Sequence, residues 1–125
     1  MTRYKSQGFN NTFKNARKGF NLALRSEINI RVHVVVATLV LIAAVYLDFS
    51  VIEFCIVLFA IALVICCEML NTAIEFSLDS IYHNRYSRMV GMAKDISAGA
   101  VMFATVISVC IGIILYGSKI LPLLS

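Results

Sequence analysis

The sequence predicts an all-α membrane protein, an N-terminal amphipathic interfacial helix followed by three transmembrane helices, and three observations carry that prediction. Hydrophobic residues make up 60% of the 125-residue chain and charged residues only 14%, a balance outside the range of soluble domains. The apolar residues fall into three runs, beginning near Val34, Val51 and Ile96, with short polar segments between them. The formal charge of +4 is unevenly spread: Arg3, Lys5, Lys14, Arg17, Lys18, Arg25 and Arg31 precede the first run, and Arg85, Arg88 and Lys94 lie between the second and third. The connection from Asp48 to Glu53 has no basic residue. By the positive-inside rule the N-terminus and second connection face the cytoplasm, while the short first connection and the C-terminus lie outside. The basic excess therefore marks a membrane face and not a nucleic-acid partner. The reading is of one domain, a multi-pass protein of the cytoplasmic (inner) membrane, with residues 1–29 cytoplasmic or interfacial and membrane helices at about 30–48, 51–81 and 95–117.

Each element has its own justification. Phe9, Phe13, Phe20 and Leu24 recur on one helical face, with Asn10, Asn11, Lys14, Arg17, Lys18 and Asn21 opposite, the pattern of a helix lying in the membrane surface. The first thirty residues lack the apolar core of a signal peptide, so the first span is expected to direct insertion. That span follows the polar cluster Arg25 to His33. Its apolar run, Val34 to Leu47, is shorter than the roughly twenty residues needed to cross. Arg31 and His33 are therefore expected to snorkel to the surface, and Glu27 and Arg31, four apart, form an ordinary helix-surface pair. Asp48-Phe49-Ser50 reads as a tight external turn, with Glu53 a solvated loop charge of no assigned role.

From Val51 to Ile81 the chain is helix-compatible over about 45 Å, longer than the hydrocarbon thickness of about 30 Å, so its last turns emerge into cytoplasm. Tyr82 to Met92 is expected to be a polar loop that breaks at Gly91, with Lys94-Asp95 opening the third span. A carboxylate at a helix N-terminus complements the helix dipole, which offers Asp95 a structural role; Lys94 at the same place is a natural phosphate contact. Ala100, Ala104, Ser108 and Gly112 form a small-residue seam read as packing. The four cysteines, Cys55, Cys66, Cys67 and Cys110, lie in apolar runs without Cys-x-x-Cys spacing, so neither a zinc site nor a disulfide framework is expected.

The residues that do not fit a plain bundle are Glu68, Glu75 and Asp79. On a helix, positions 68, 72, 75 and 79 form one longitudinal stripe with Asn71 at its border, so Glu68, Thr72, Glu75 and Asp79 share a face. Ionisable residues in a spanning helix cost a few kcal/mol each and are kept where they face a protein interior, a cation or a polar substrate. On the membrane ruler Glu68 lies near the inner edge of the hydrocarbon, Glu75 in the headgroup layer and Asp79 beyond it.

The run Glu68-x-x-Asn71-Thr72-Ala73-Ile74-Glu75-x-x-x-Asp79, followed by Ala93-Lys94-Asp95-Ile96-Ser97-Ala98-Gly99-Ala100-Val101, resembles the small prokaryotic diacylglycerol kinase family. The match extends over nearly the whole chain, including Glu27 ahead of the first span. The segment Glu27-x-Asn29-x-Arg31-x-His33 resembles the Gram-positive branch, whose preferred acceptor is undecaprenol. The resemblance implies a homotrimer of three-span subunits with shared active sites at the cytoplasmic interface, using ATP and Mg²⁺. It also implies the lipid bilayer and a membrane lipid alcohol as partners. Neither a Gly-x-x-x-x-Gly-Lys loop nor protein-kinase signatures are present, which an intersubunit nucleotide site accommodates.

Phosphoryl transfer needs a base for the acceptor hydroxyl, cations against phosphate charge, and in-line placement. In the family reading Glu68 is the general base and touches the lipid hydroxyl, and Asn71 orients either Glu68 or the phosphoryl group. Glu27 and Glu75 hold Mg²⁺ and thereby the nucleotide. Lys94 meets the phosphates, while Asp79 and Asp95 position nucleotide or hold Lys94. Asn29 and Arg31 are assigned to the lipid substrate. Phosphatidic acid synthesis from diacylglycerol is the alternative reaction. Two other classes compete: a proton-coupled transporter with Glu68 as its relay, which needs only one carboxylate, and a non-catalytic assembly subunit, which leaves the stripe unexplained.

Overall fold

The computed structural model describes residues 8–83 and 87–125. Arg3, Lys5 and Arg85 of the charge pattern, and residues 84–86 of the expected 82–92 loop, lie outside the described residues. Four helices follow one another: α1 (Phe9–Ser26), α2 (Ile28–Tyr46), α3 (Val51–Tyr82) and α4 (Arg88–Leu124). The last three are long and apolar enough to cross a membrane. Outward-facing Val35, Leu39, Phe59, Phe103 and Ile113 are the surface that hydrocarbon would cover.

A single residue separates α1 from α2. Glu27 adopts an extended conformation (φ −125°, ψ 119°) while its N–H still donates to Ala23 O at 3.1 Å, and its side chain makes no capping bond. The expected Glu27–Arg31 pair is absent among the described residues. Arg31 is exposed, and the link between the two is the backbone bond from Arg31 N–H to Glu27 O.

At the far end, Asp48 takes a left-handed conformation (φ 59°), which aspartate tolerates better than most residues, and turns the chain into α3. Glu53 is not the solvated loop charge expected. It is the third residue of α3 and completes a capping box: Ser50 N–H donates to Glu53 Oε1 at 2.9 Å, and Glu53 N–H donates to Ser50 Oγ at 3.2 Å. The same carboxylate meets Lys119 Nζ at 3.2 Å. Beside it Phe49 and Tyr116 pack with ring centroids 4.7 Å apart, and Tyr116 OH donates to Val40 O, so the turn, α2 and α4 close together at this end.

The helices meet along narrow seams, which repeat every seven residues on α2 and α4 and on α3 also include Ala60, Glu68 and Thr72. Ile30, Ala37 and Ala44 are buried on α2, Val57 and Val64 on α3, and Val90, Ser97 and Ala104 on α4. On α2 and α4 that spacing, a 3.5-residue average, keeps one line of side chains on a neighbour, whereas on α3 the buried positions from Ala60 to Thr72 step by four. The expected seam on α4 is only partly its contact face: Ala104 is buried and Ser108 Oγ donates to Ala60 O at 3.2 Å, but Ala100 is exposed and Ser97 takes its place.

The expected break at Gly91 is also absent. α4 begins at Arg88, three residues earlier, and Gly91 N–H donates to Ser87 O at 2.9 Å inside its first turn. Helix therefore extends beyond the expected 95–117 at both ends. Lys94 and Asp95 lie nearly two turns into α4, past the reach of the helix dipole, so neither is explained by a helix N-terminus.

Candidate active site

The start of α2, the second half of α3 and the start of α4 gather at one end of the bundle. α3 turns its acidic stripe inward here. Glu68 and Thr72 are buried, and Asn71, Glu75 and Asp79 are half-buried. A carboxylate only 7% exposed must find a partner or forfeit its charge. Glu68 finds His33, whose Nε2 lies 3.4 Å from Glu68 Oε1. His33 was expected to snorkel; it turns onto the stripe instead, because Ile30 and Ala37 on the same face of α2 are buried.

Asn71 serves the neighbouring carboxylate. Its Oδ1 accepts from Ser97 Oγ at 2.5 Å, and its Nδ2 donates to Glu75 Oε1 at 3.5 Å. The carboxylate of Glu75, an acceptor, fixes the amide's NH₂ toward itself, which leaves the amide oxygen to accept from the Ser97 hydroxyl. Within the chain Asn71 bonds Glu75 and Ser97, not the Glu68 it was expected to orient.

One to two turns further out, Lys94 Nζ donates to Asp79 Oδ1 at 2.7 Å, with the side chains 37% and 41% exposed. At that exposure the pair adds at most about 1 kcal/mol to stability. Its value is geometric, since Asp79 fixes an ammonium that has two further N–H donors. Asp95 is exposed on an adjacent flank of α4 and makes no bond to Lys94. Asn29 and Arg31 are exposed and Glu27 is half-buried. The structure thus brings Glu68, Asn71, Glu75, Asp79 and Lys94 onto one wall with His33 and Ser97, and does not join Asn29, Arg31 or Asp95 to it.

Among the described residues no three His, Cys, Asp or Glu side chains converge as a metal cluster. Glu27 and Glu75 nevertheless supply oxygen donors of the kind Mg²⁺ prefers, and Glu27's carboxylate is not consumed by capping. Toward the membrane, an apolar groove of about 570 Å³ begins at His33 and runs between the three long helices past Val36, Val64 and Ile65 to Tyr116. Val64 and Ile65 are one turn below Glu68, so the buried carboxylate stands at the head of this groove.

His33 and Ser97 were not given roles by sequence reasoning. His33 carried a signal in its spacing, three residues after Ile30 and four before Ala37. Ser97 carried one in its seven-residue spacing from Ala104.

Three helices long and apolar enough to cross a membrane, with a carboxylate stripe and a fixed ammonium gathered at one end, are the layout of a membrane protein with a polar site at the end of its bundle. The sequence profile of the prokaryotic diacylglycerol kinase family matches residues 14–116, and the chain belongs to that family; it is a lipid kinase. It is 35% identical to the undecaprenol kinase of Bacillus subtilis (strain 168) over 112 residues, 90% of each chain. It is 32% identical to the diacylglycerol kinase of Synechocystis sp. over 111 residues, 89% of this chain and 61% of that one. With the diacylglycerol kinase of Escherichia coli (strain K12) it shares 33% identity over 92 residues, 74% of this chain and 75% of the other.

Proposed function

We propose that this chain transfers the γ-phosphoryl group of ATP to the hydroxyl of undecaprenol, giving undecaprenyl phosphate. The observation that carries the reading is buried Glu68 at the head of the apolar groove. An acceptor whose hydrocarbon follows the groove presents its hydroxyl to that carboxylate. Glu68 takes the hydroxyl proton, the acceptor oxygen attacks the γ-phosphorus in line, and the bond to the bridging β,γ-oxygen breaks to release ADP.

Lys94, held by Asp79, lies against the phosphates. Asn71 and Ser97 keep Glu75 aimed at the nucleotide side of the wall, and Glu27 approaches from the α1–α2 junction. Glu27 and Glu75 are the residues that would hold Mg²⁺, which neutralises phosphate charge when bound. α1 lies in the cytoplasmic membrane surface with Phe9, Phe13 and Phe20 in the acyl boundary and its lysines and arginines on anionic headgroups. The N-terminus and site are cytoplasmic and the C-terminus outside. Three copies share sites at their interfaces, since a chain of this size cannot enclose a nucleotide in its own core.

The acceptor follows from the groove and the relatives together. Diacylglycerol has two ester groups that need polar partners or water when buried, whereas a polyprenol offers branched hydrocarbon. Of the groove-lining residues only His33, Thr105, Ser108 and Tyr116 bear polar side-chain atoms, and Thr105, Ser108 and Tyr116 donate to backbone carbonyls. The 35% identity to an undecaprenol kinase points the same way. The relatives named diacylglycerol kinases favour a second reading, phosphatidic acid synthesis by the same wall of residues. Purified protein in mixed micelles with γ-labelled ATP, given each lipid at matched surface concentration, should show the higher kcat/KM for undecaprenol. A clear preference for diacylglycerol selects the second reading; labelling of neither removes both.

A further inference from the structure

We infer that His33 is the positioning residue for Glu68, holding one carboxylate oxygen so that the other faces the acceptor hydroxyl; this rests on the proposed role of Glu68 as base. The inference starts from burial. Glu68 is the most enclosed acidic side chain among the described residues, and its one close polar neighbour comes from a different helix, His33 Nε2 at 3.4 Å from Oε1. At that separation the contact is long for a hydrogen bond, as catalytic contacts often are before substrate binds.

His33 is placed with little freedom. Ile30, three residues before it, is fully buried, and Ala37, four residues after, is buried with a side chain small enough to let α2 approach α3. The ring also lines the groove, so it stands where hydrocarbon space ends and the carboxylate begins. Glu75, two turns along α3, is held instead by Asn71 and through it by Ser97 of α4. Each carboxylate thus has its own orienting neighbour, and a ring at Oε1 leaves Oε2 to meet a hydroxyl arriving from the groove.

The test is a double-mutant cycle on the full chain in micelles, using whichever lipid alcohol the unmodified protein phosphorylates. His33→Leu should lower kcat about 10- to 100-fold while leaving the KM for ATP unchanged. His33→Gln places an N–H donor at nearly the reach of Nε2 and should recover most of that loss, which also guards against misfolding of the leucine variant. In a Glu68→Gln background His33→Leu should cost nothing further, because its partner's function is already gone. An unchanged kcat in His33→Leu overturns the inference. So does a folded His33→Gln as slow as His33→Leu, or a leucine penalty that is the same with and without Glu68. Near-normal turnover of Glu68→Gln alone would instead remove the base, and His33's role with it, while a wrong acceptor would leave the pair standing.

Discussion

Glu68 and Glu75 share a helix face, yet Glu68 meets α2 directly while Glu75 bonds Asn71 of its own helix, which in turn meets α4. Glu68 is enclosed and faces α2 and the groove; Glu75 is half-buried and tied through Asn71 to α4. Glu68→Gln keeps shape and packing but cannot accept a proton, so a folded protein with turnover reduced by roughly 10² or more is expected. Near-normal turnover in a labelled-ATP assay would take Glu68 out of that role. Lys94→Met keeps the aliphatic stem and deletes the charge that Asp79 fixes. Its main effect should fall on the KM for ATP, read from paired saturation curves for ATP and lipid; a selective rise in the lipid KM would place Lys94 against the acceptor. Loss of the Lys94–Asp79 pair itself should barely change stability, because both groups are more than a third exposed.

At the scale of elements α3 organises the bundle, packing on α2 and most extensively on α4. The capping box at Ser50 sets where it begins. Ser50→Ala removes the oxygen that accepts from Glu53 N–H, and losing such a cap costs about 1 kcal/mol. Thermal unfolding in detergent should therefore shift downward while both KM values stay unchanged, since Glu68 is eighteen residues, about 27 Å, further along α3. Altered kinetics in that variant would mean that the outer end communicates with the site.

The same helices mark what a single sequence reveals. Hydropathy and charge disclosed the apolar runs, and helical spacing disclosed the stripe of Glu68, Thr72, Glu75 and Asp79, because both follow from local periodicity. The start of α4 was not legible. Hydropathy marks where a helix enters hydrocarbon, not where it begins, and a Gly at position 91 reads as a break although an interior glycine costs only about 1 kcal/mol. Buried Val90 repays part of that cost by packing. Contacts between helices were equally hidden: the distance from His33 to Glu68, or from Ser97 to Asn71, depends on how α2 and α4 are rotated against α3, which no local spacing encodes.

For the whole molecule the question is how a thin three-span bundle closes a nucleotide site. Glu68 and Lys94 line one wall, with the Asn71–Ser97 bond marking the contact of α3 with α4 between them, and the other side of that wall must come from lipid, solvent or a second copy. In the proposed trimer a second copy faces that wall, and whether the Glu68 and Lys94 that serve one site then come from two different chains can be tested without a structure of the assembly. Glu68→Gln and Lys94→Met chains are mixed in equal amounts in denaturing detergent, returned together to micelles, and assayed at ATP concentrations below the KM of the Lys94→Met protein. If each site takes Glu68 from one chain and Lys94 from its neighbour, random assembly gives some sites an intact pair. Roughly a quarter of the sites should then be active, so activity should rise well above that of either variant reassembled alone. If both residues of a site come from the same chain, every site keeps one defect and mixing gives only the average of the two parents. That result would confine the Glu68–Lys94 wall to a single subunit and leave a neighbour, at most, to cover it.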